Sequence, residues 1–405
     1  MLKKEEDLRG TVEIVNIEAM VPRDHLLRKI DRAIDFGYIY ELSENLYSMD
    51  KGRPGVDPVV LFKIVLLQHL YGIPSLRQTI REVEMSIAYR WFLGYNFAKD
   101  IPHFATVSYA FATRFSSDIA EKVFRDNSDS SGESQTRTVT GSTTDPDAGL
   151  FHKGEHKQCF AYGAHTACDR NNFILEVEVT PGNVHDSVVF DTVYDRLAER
   201  FPQMETVVAD AGYKTPWICK KVFDDGRIPS LPYKRPQSMK DGHKWYEYVY
   251  DEYYDQILCP EYKTLNYATT NRDGYREYKS KAYICQSCPT RHKCTNSKSC
   301  VKTVTQHLWH NYLEQAEDVR LSPHGQETYA LRCQTIERVF ADAKEKHGMR
   351  YTNHRGLTRV TSWVRFKFAA MNLKKLAMWK WNGPSFYRLL AFFRFLLAKS
   401  ELSLA

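Results

Sequence analysis

Apolar residues recur at helical spacing through the first 115 positions and then give way to alternating patterns. The stretch "VPRDHLLRKIDRAIDFGYIYELSENLY" carries one such stripe. "GRPGVDPVVLFKIVLLQHLYGIPSLRQTIREVEMSIAYRWFLGY" adds two helix starts. Asp57 before Pro58 suits an N-cap with proline at the first helical position. Ser75 with Gln78 three residues on is a capping-box pattern, and "YGIP" breaks the pair. Two helices joined by a tight Gly/Pro turn predict a helix-turn-helix-like pair, with an ordinary antiparallel pair as the alternative.

From Ser116 the apolar pattern stops. "SSDIAEKVFRDNSDSSGESQTRTVTGSTTDPDAG" reads as a polar linker. Beyond it, "QCFAYGAHTACD" and "FILEVEVTP" flank Arg170-Asn171-Asn172 and predict a β-hairpin. "HDSVVFDTVYDRLAERF" predicts an amphipathic helix. "ETVVADAGY" predicts a short buried strand ending in Asp210, and "TPWICKKVFDDG" a helix closed by Gly226. With a strand in "IPSLPYKRP", the order β-β-α-β-α-β predicts an α/β layer with a mixed sheet. Alternating tyrosines in "WYEYVYDEYYDQILCPEYKTLNYATTNRDGYREYKS" predict short strands, and the segment from about Pro323 to Trp381 is helical again. "FYRLLAFFRFLLAKS" predicts an amphipathic terminal helix.

Composition changes this picture little. Charged residues make 26% of the chain, aromatics 13%, and the formal net charge is +6. The distribution says more: no Asp or Glu occurs from Lys346 to Ser400, while Arg350, Arg355, Arg359, Arg365, Lys367, Lys374, Lys375 and Lys380 recur. Such a block suits a phosphate backbone, or a basic helix packed on an acidic neighbour. The opening "MLKKEEDLRGTVEIV" lacks the apolar core of a secretory signal, and no window approaches the ~18 apolar residues of a membrane span. The expectation is a soluble, cytoplasmic protein.

Two constellations carry chemistry. Asp210 at the tip of an apolar strand needs a partner or a metal if it is buried. In "GQETYALRCQTIERVFADAKEKHGMRY", Glu337 sits beside a face made of Ile336, Phe340 and Ala343, with Tyr329 and Cys333 leading into it and Lys344 on a nearby face. Two such acids can converge on metal as two-metal phosphoryl-transfer sites require. Five of the nine cysteines fall between 259 and 300. Cys285-x2-Cys288-x5-Cys294 with Cys259 upstream supplies four thiolates for a closed Zn²⁺ site, with Cys300 a competing fourth ligand. His292 and His307 are lone alternatives.

"TPGNVHDS", "VVADAGYKT" and "TIERVFADAKEKHGMRYTNHRGL" resemble insertion-sequence transposases with a DDE, RNase H-like catalytic domain. The segment "RPGVDPVVLFKIVLLQHLYGIPSLRQTIREVE" resembles the helical N-terminal domain of the same transposases. The resemblance implies an RNase H-like α/β core with an all-helical N-terminal domain and a Cys-rich insertion. It implies Asp210 as second acid, Glu337 as third, and Mg²⁺ or Mn²⁺ held between them. Tyr329, Arg332, Glu337 and Lys344 match the family's Tyr, Arg, Glu and Lys signature, although four residues rather than three separate Arg332 from Glu337. His185 and Asp186 belong to the matched "GNVHDS"; Asp186 is either an N-cap or a group that orients the site.

No apolar strand carrying the first acid precedes the hairpin. Asp126, Asp129, Asp145 and Asp147 all lie in polar sequence, Asp145 being the nearest in order. A lost segment, with residues around 125–140 as its scar, explains this. The implied organisation is a helical domain over 1–115, a linker or scar over 116–150, the core over 151–235, the insertion over 236–320, the final core helices over 321–385 and a terminal helix over 386–405. The implied activity is DNA strand cleavage and transfer at the element's terminal inverted repeats, with a homodimer in the DNA complex. The alternative is a truncated, catalytically disabled relative that only binds DNA.

Overall fold

The computed structural model describes residues 16–44, 55–113, 141–153, 157–236 and 239–382. Most of the expected linker, with Asp126 and Asp129, and the expected terminal helix lie outside the described residues. The chain divides into two units, one of residues up to Val184 with Thr335 onwards, the other His185–Gln334.

The first unit opens with helices α1 (Ile17–Met20), α2 (Leu26–Ala33), α3 (Tyr38–Ser43), α4 (Pro58–Leu70), α5 (Leu76–Met85), α6 (Ile87–Phe92) and α7 (Phe104–Thr113). Helix α4 starts where the sequence predicts, because Asp57 accepts hydrogen bonds from the Val59 and Val60 amides at 2.7 and 3.4 Å. Ser75 likewise accepts from Gln78 N at 3.2 Å at the start of α5. Between them Gly72 takes φ +65°, a left-handed turn that glycine adopts without a Cβ penalty. Apolar residues surround α4 on all sides, burying Leu61, Ile64, Val65 and Leu67 among others, so it is the centre of the bundle.

Strands β1 (Gly149–Lys153), β2 (Lys157–Cys168) and β3 (Ile174–Pro181) form an antiparallel sheet in that order. The predicted hairpin is β2–β3, with Asn172 at φ +66° in its turn. The edge strand β1 arises at the end of the stretch expected to be linker. Helix α14 (Ile336–Lys346) buries Val339 and Ala343 with Ile174, Val177 and Val179 of β3.

Helix α15 (Leu357–Asn382) completes this unit by serving two cores. Val360, Val364 and Phe368 join the cluster over the sheet, while Ala370 and Ala377 join the helical bundle. Asn372 fastens the helix to β3, donating to Ile174 O at 2.8 Å and accepting from Ile174 N at 2.9 Å.

The second unit contains α8 (Asp186–Arg200), β4 (Thr206–Val208), α9 (Pro216–Asp224) and β5 (Ile228–Ser230), with β4 and β5 parallel. Phe190, Tyr194, Ile218 and Val222 pack α8 on α9. A lobe follows, with β6 (Val249–Asp251), β7 (Gln256–Leu258), β8 (Thr264–Thr270), β9 (Tyr275–Lys279), short helices α10 (Ala282–Gln286) and α11 (Arg291–Cys294), and β10 (Thr303–His307). Its five strands form an antiparallel sheet in the order β10-β9-β8-β7-β6. Helices α12 (His310–Leu321) and α13 (Pro323–Ala330) close the unit. The α/β class holds, and its strands pair as separate antiparallel and parallel ladders. No helix among the described residues is long and apolar enough to cross a membrane.

Asp145 and Asp147, the candidates for a missing first acid, serve the fold. Asp145 accepts from the Tyr162 hydroxyl at 2.9 Å and from Gly356 N at 3.1 Å, and Asp147 accepts from Leu357 N at 2.8 Å. Both carboxylates thus satisfy amides at the start of α15, where the helix dipole favours negative charge. Asp147→Ala should lower stability by about 1 kcal/mol, read by urea unfolding of the purified chain; an unchanged midpoint would refute the clamp.

Candidate active site

Strand β4 and the parallel β5 bring the chain to Asp210. Ala209 N still bonds Ser230 O at 3.3 Å, and the ladder then ends. Asp210 leaves the strand in an extended conformation and accepts from Gly212 N at 2.9 Å, capping a 3-10 turn over Ala211–Tyr213. The expectation of a buried acid is corrected here: the Asp210 side chain is 41% exposed. The strand is only three residues long and Val208 is itself exposed, so no core closes over its tip.

Three side chains of the same unit gather at this turn. A Cβ placed on Gly212 would lie 3.1 Å from an Asp186 carboxylate oxygen and 3.1 Å from an Asp210 oxygen. The two carboxylates therefore stand close to the one point that a side chain at position 212 would occupy. Asp186 is the first residue of α8, whose cap is His185, accepting from Ser187 N at 3.2 Å. The N-cap alternative for Asp186 is thus taken by its neighbour. Arg332 reaches in with Nη2 3.7 Å from Asp210 Oδ2. Arg332 also donates to the Tyr329 hydroxyl at 3.3 Å, so two residues of the signature meet. Tyr213 completes the group: burial first, then the Asp186 and Asp210 charges, hold its hydroxyl protonated well above the usual range. Sequence reasoning passed over Tyr213, although it sits in the same short motif as Asp210.

The signature does not lie on one helix, as the sequence suggested. Helix α13 ends at Ala330, a 3-10 turn spans Leu331–Cys333, and α14 begins at Ile336. Cys333 and Thr335, both poor helix formers, fall in this break. Arg332 consequently belongs to the second unit, with Asp210, while Glu337 and Lys344 belong to the first. Glu337 stands in the first turn of α14 and is exposed, and Lys344 lies with Nζ 5.9 Å from the Phe340 ring centroid.

The basic run is divided between interior and surface. Lys367 is 3% exposed, and burial brings its ammonium down to about 8. Lys375 donates to Asn171 O and Asn172 O at 2.9 and 3.1 Å, closing the hairpin turn. The Asp169 and Asp342 carboxylates also act on its charge, so this cation does have acidic neighbours. Arg350, Arg355 and Arg359 remain at the surface.

Cys259, Cys285, Cys288 and Cys294 line one small cavity of about 30 Å³ in the lobe. Cys300 does not line it; that residue takes φ +54° and directs its sulfur towards Lys298 O at 3.9 Å. Among the described residues, no group of three or more His, Cys, Asp and Glu side chains stands at metal-holding spacing.

Behind Asp210, Lys214 is buried and pairs with Glu317, donating also to Pro232 O at 3.2 Å. Glu317 accepts a second bond from Arg320 at 2.7 Å. Burial raises the Glu317 carboxyl, but the Lys214 and Arg320 hydrogen bonds outweigh it and the net shift is downwards. A carboxyl depressed in the fold stabilises it above the unfolded value of 4.5, and that contribution is lost as pH falls through the folded value. Glu317→Gln should therefore lower stability at neutral pH and flatten its dependence on acid, measured by thermal unfolding between about pH 3 and 7. An acid profile identical to that of the native chain would contradict the pairing.

Two family models match the chain. Residues 258–377 match the transposase DDE domain, and residues 15–113 match a transposase domain (DUF772). The first match contains Cys259, Cys285, Cys288 and Cys294 of the lobe with Glu337 and Lys344, and it begins after Asp210. No curated protein and no solved structure matches.

Proposed function

Because the chain belongs to the DDE transposases of insertion sequences, we propose that it binds its element's terminal inverted repeats as duplex DNA and cuts and joins their strands. Family membership implies DNA binding and divalent-metal use. Mg²⁺ or Mn²⁺ at the acids would supply a metal-activated water and charge stabilisation at the leaving 3′ oxygen.

The observation that carries this reading is the convergence of Asp186 and Asp210 on Gly212. A hard cation takes carboxylate oxygens, and the two face a point where the chain has no side chain. Asp210 and Glu337 keep the roles implied by the signature, and Asp186 takes the role of the first acid. Arg332 balances the carboxylates while no metal is bound, and its guanidinium suits a DNA phosphate when one arrives. Lys344, exposed on α14, is assigned to a phosphate contact. Arg350, Arg355 and Arg359 offer exposed cations for the duplex backbone, and the N-terminal helical bundle shares in DNA binding. Two copies would hold two ends, and the work would be done at the nucleoid in the cytoplasm.

A second reading, a disabled relative that only binds DNA, is favoured by one observation: Asp145 and Asp147 are committed to the start of α15. Cleavage of labelled inverted-repeat DNA with Mg²⁺ or Mn²⁺ separates the two. The native chain should cleave, and Asp210→Ala, Glu337→Gln and Asp186→Asn should each reduce the rate by about a hundredfold or more. DNA retention by the native chain without cleavage in either ion would establish the disabled reading. Full activity of Asp186→Asn would remove that residue from the site.

A further inference from the structure

The lobe made of β6–β10, α10 and α11 has little apolar substance. Its buried cluster is Ile257, Leu265, Tyr278 and Val304, with Tyr248, Tyr250 and Cys259 partly buried against it. A core this thin needs another source of cohesion, which small domains draw from disulfides or a structural metal. All of its cysteines are free thiols.

We propose that Cys259, Cys285, Cys288 and Cys294 bind one structural Zn²⁺ as a tetrathiolate, and that Tyr248 is an outer positioning residue for the Cys294 sulfur. The four residues come from separate segments: the turn after β7, the end of α10, the turn that follows it and the end of α11. Their gathering around a single cavity is a tertiary arrangement, and tetrahedral Zn²⁺ takes four thiolates at about 2.3 Å.

The turn at Cys259 is shaped around its sulfur. Cys259 N donates to Lys263 O at 2.9 Å, Tyr262 N donates to Cys259 O at 2.8 Å, and Tyr262 adopts φ +55°. That reversal aims Lys263 N at Cys259 Sγ at 3.4 Å, an amide contact that stabilises a thiolate. The other sulfurs already have polar neighbours: Ser280 Oγ at 3.1 Å from Cys285, Thr290 Oγ1 at 3.6 Å from Cys288, and the Tyr248 hydroxyl at 3.2 Å from Cys294. Each hydroxyl can turn to donate once its sulfur is ionised. Binding displaces four thiol protons to solvent and leaves a site of net charge −2. Lys263, Arg291 and Lys302 line the same cavity and offset that charge. The thiols draw inwards from these partners when the ion binds, tying the sheet to α10 and α11.

This site concerns the fold of the lobe and does not rest on the strand-transfer chemistry. The test uses the full chain, purified without chelator. Elemental analysis should find about one zinc per chain, and Co²⁺ substitution should give the absorption of a tetrahedral thiolate complex. Cys259→Ser, Cys285→Ser, Cys288→Ser or Cys294→Ser should abolish that absorption, while Cys300→Ser keeps it. Tyr248→Phe should retain the stoichiometry and weaken affinity by about tenfold to a hundredfold in a chelator competition. Chelation of the native chain should raise hydrogen exchange within the lobe, which keeps the role testable if a serine variant fails to fold. A native chain that holds neither zinc nor Co²⁺ would overturn the proposal. So would loss of the metal in Cys300→Ser or His243→Ala with retention in Cys259→Ser, since His243 also lines the cavity.

Discussion

Helix α15 carries a constraint on which the first unit depends: 26 residues must present apolar surface to two cores at once. Phe368 is fully buried among strand residues, and Ala377 is fully buried against the helical bundle. A helix used on two sides draws some of its cations into structural work, while Arg359 stays exposed. Lys375 closes the β2–β3 turn, and Lys367 is buried deeply enough for its charge to become costly. Asp145 and Asp147 complete the arrangement at the helix start. Their position in sequence invites a catalytic role, but their oxygens are held by amides.

The second unit supports its acids differently. Lys214, four residues beyond Asp210, is fixed by Glu317 behind the turn. Removing Glu317 would leave the buried Lys214 charge uncompensated, so the pair holds the turn's geometry more than it adds net stability. In front of it the carboxylates of Asp186 and Asp210 stay partly open to solvent, as the proposed metal role requires. Gly212 leaves open the point they face. The thiol lobe has a thin apolar core, for which the proposed Zn²⁺ would compensate.

Much of this was legible in the sequence because it is encoded locally. Asp57-Pro58 and Ser75 start their helices, Arg170-Asn171-Asn172 turns the hairpin, and the apolar run before Asp210 is a strand. The spacing Cys285-x2-Cys288-x5-Cys294 announces a cluster of thiols, and the DDE-type motifs mark the family. Each depends on residues a few positions apart, where capping, alternation and turn chemistry act directly.

Only tertiary structure decided which of these local features meet. Periodicity runs through Leu331–Thr335 without interruption, yet the chain breaks there and assigns Arg332 and Glu337 to different units. The charge run of α15 looked like a phosphate-binding face until packing buried Lys367. Cys259 joins the other three thiols and Cys300 does not, although Cys300 is nearer to Cys294 in sequence. Asp186 stands beside Asp210 across 24 positions of chain because α8 packs on the 3-10 turn that Asp210 caps. Local pattern states which face of an element is apolar or charged. The partner of that face depends on contacts between distant segments, and one sequence without its fold does not contain them in readable form.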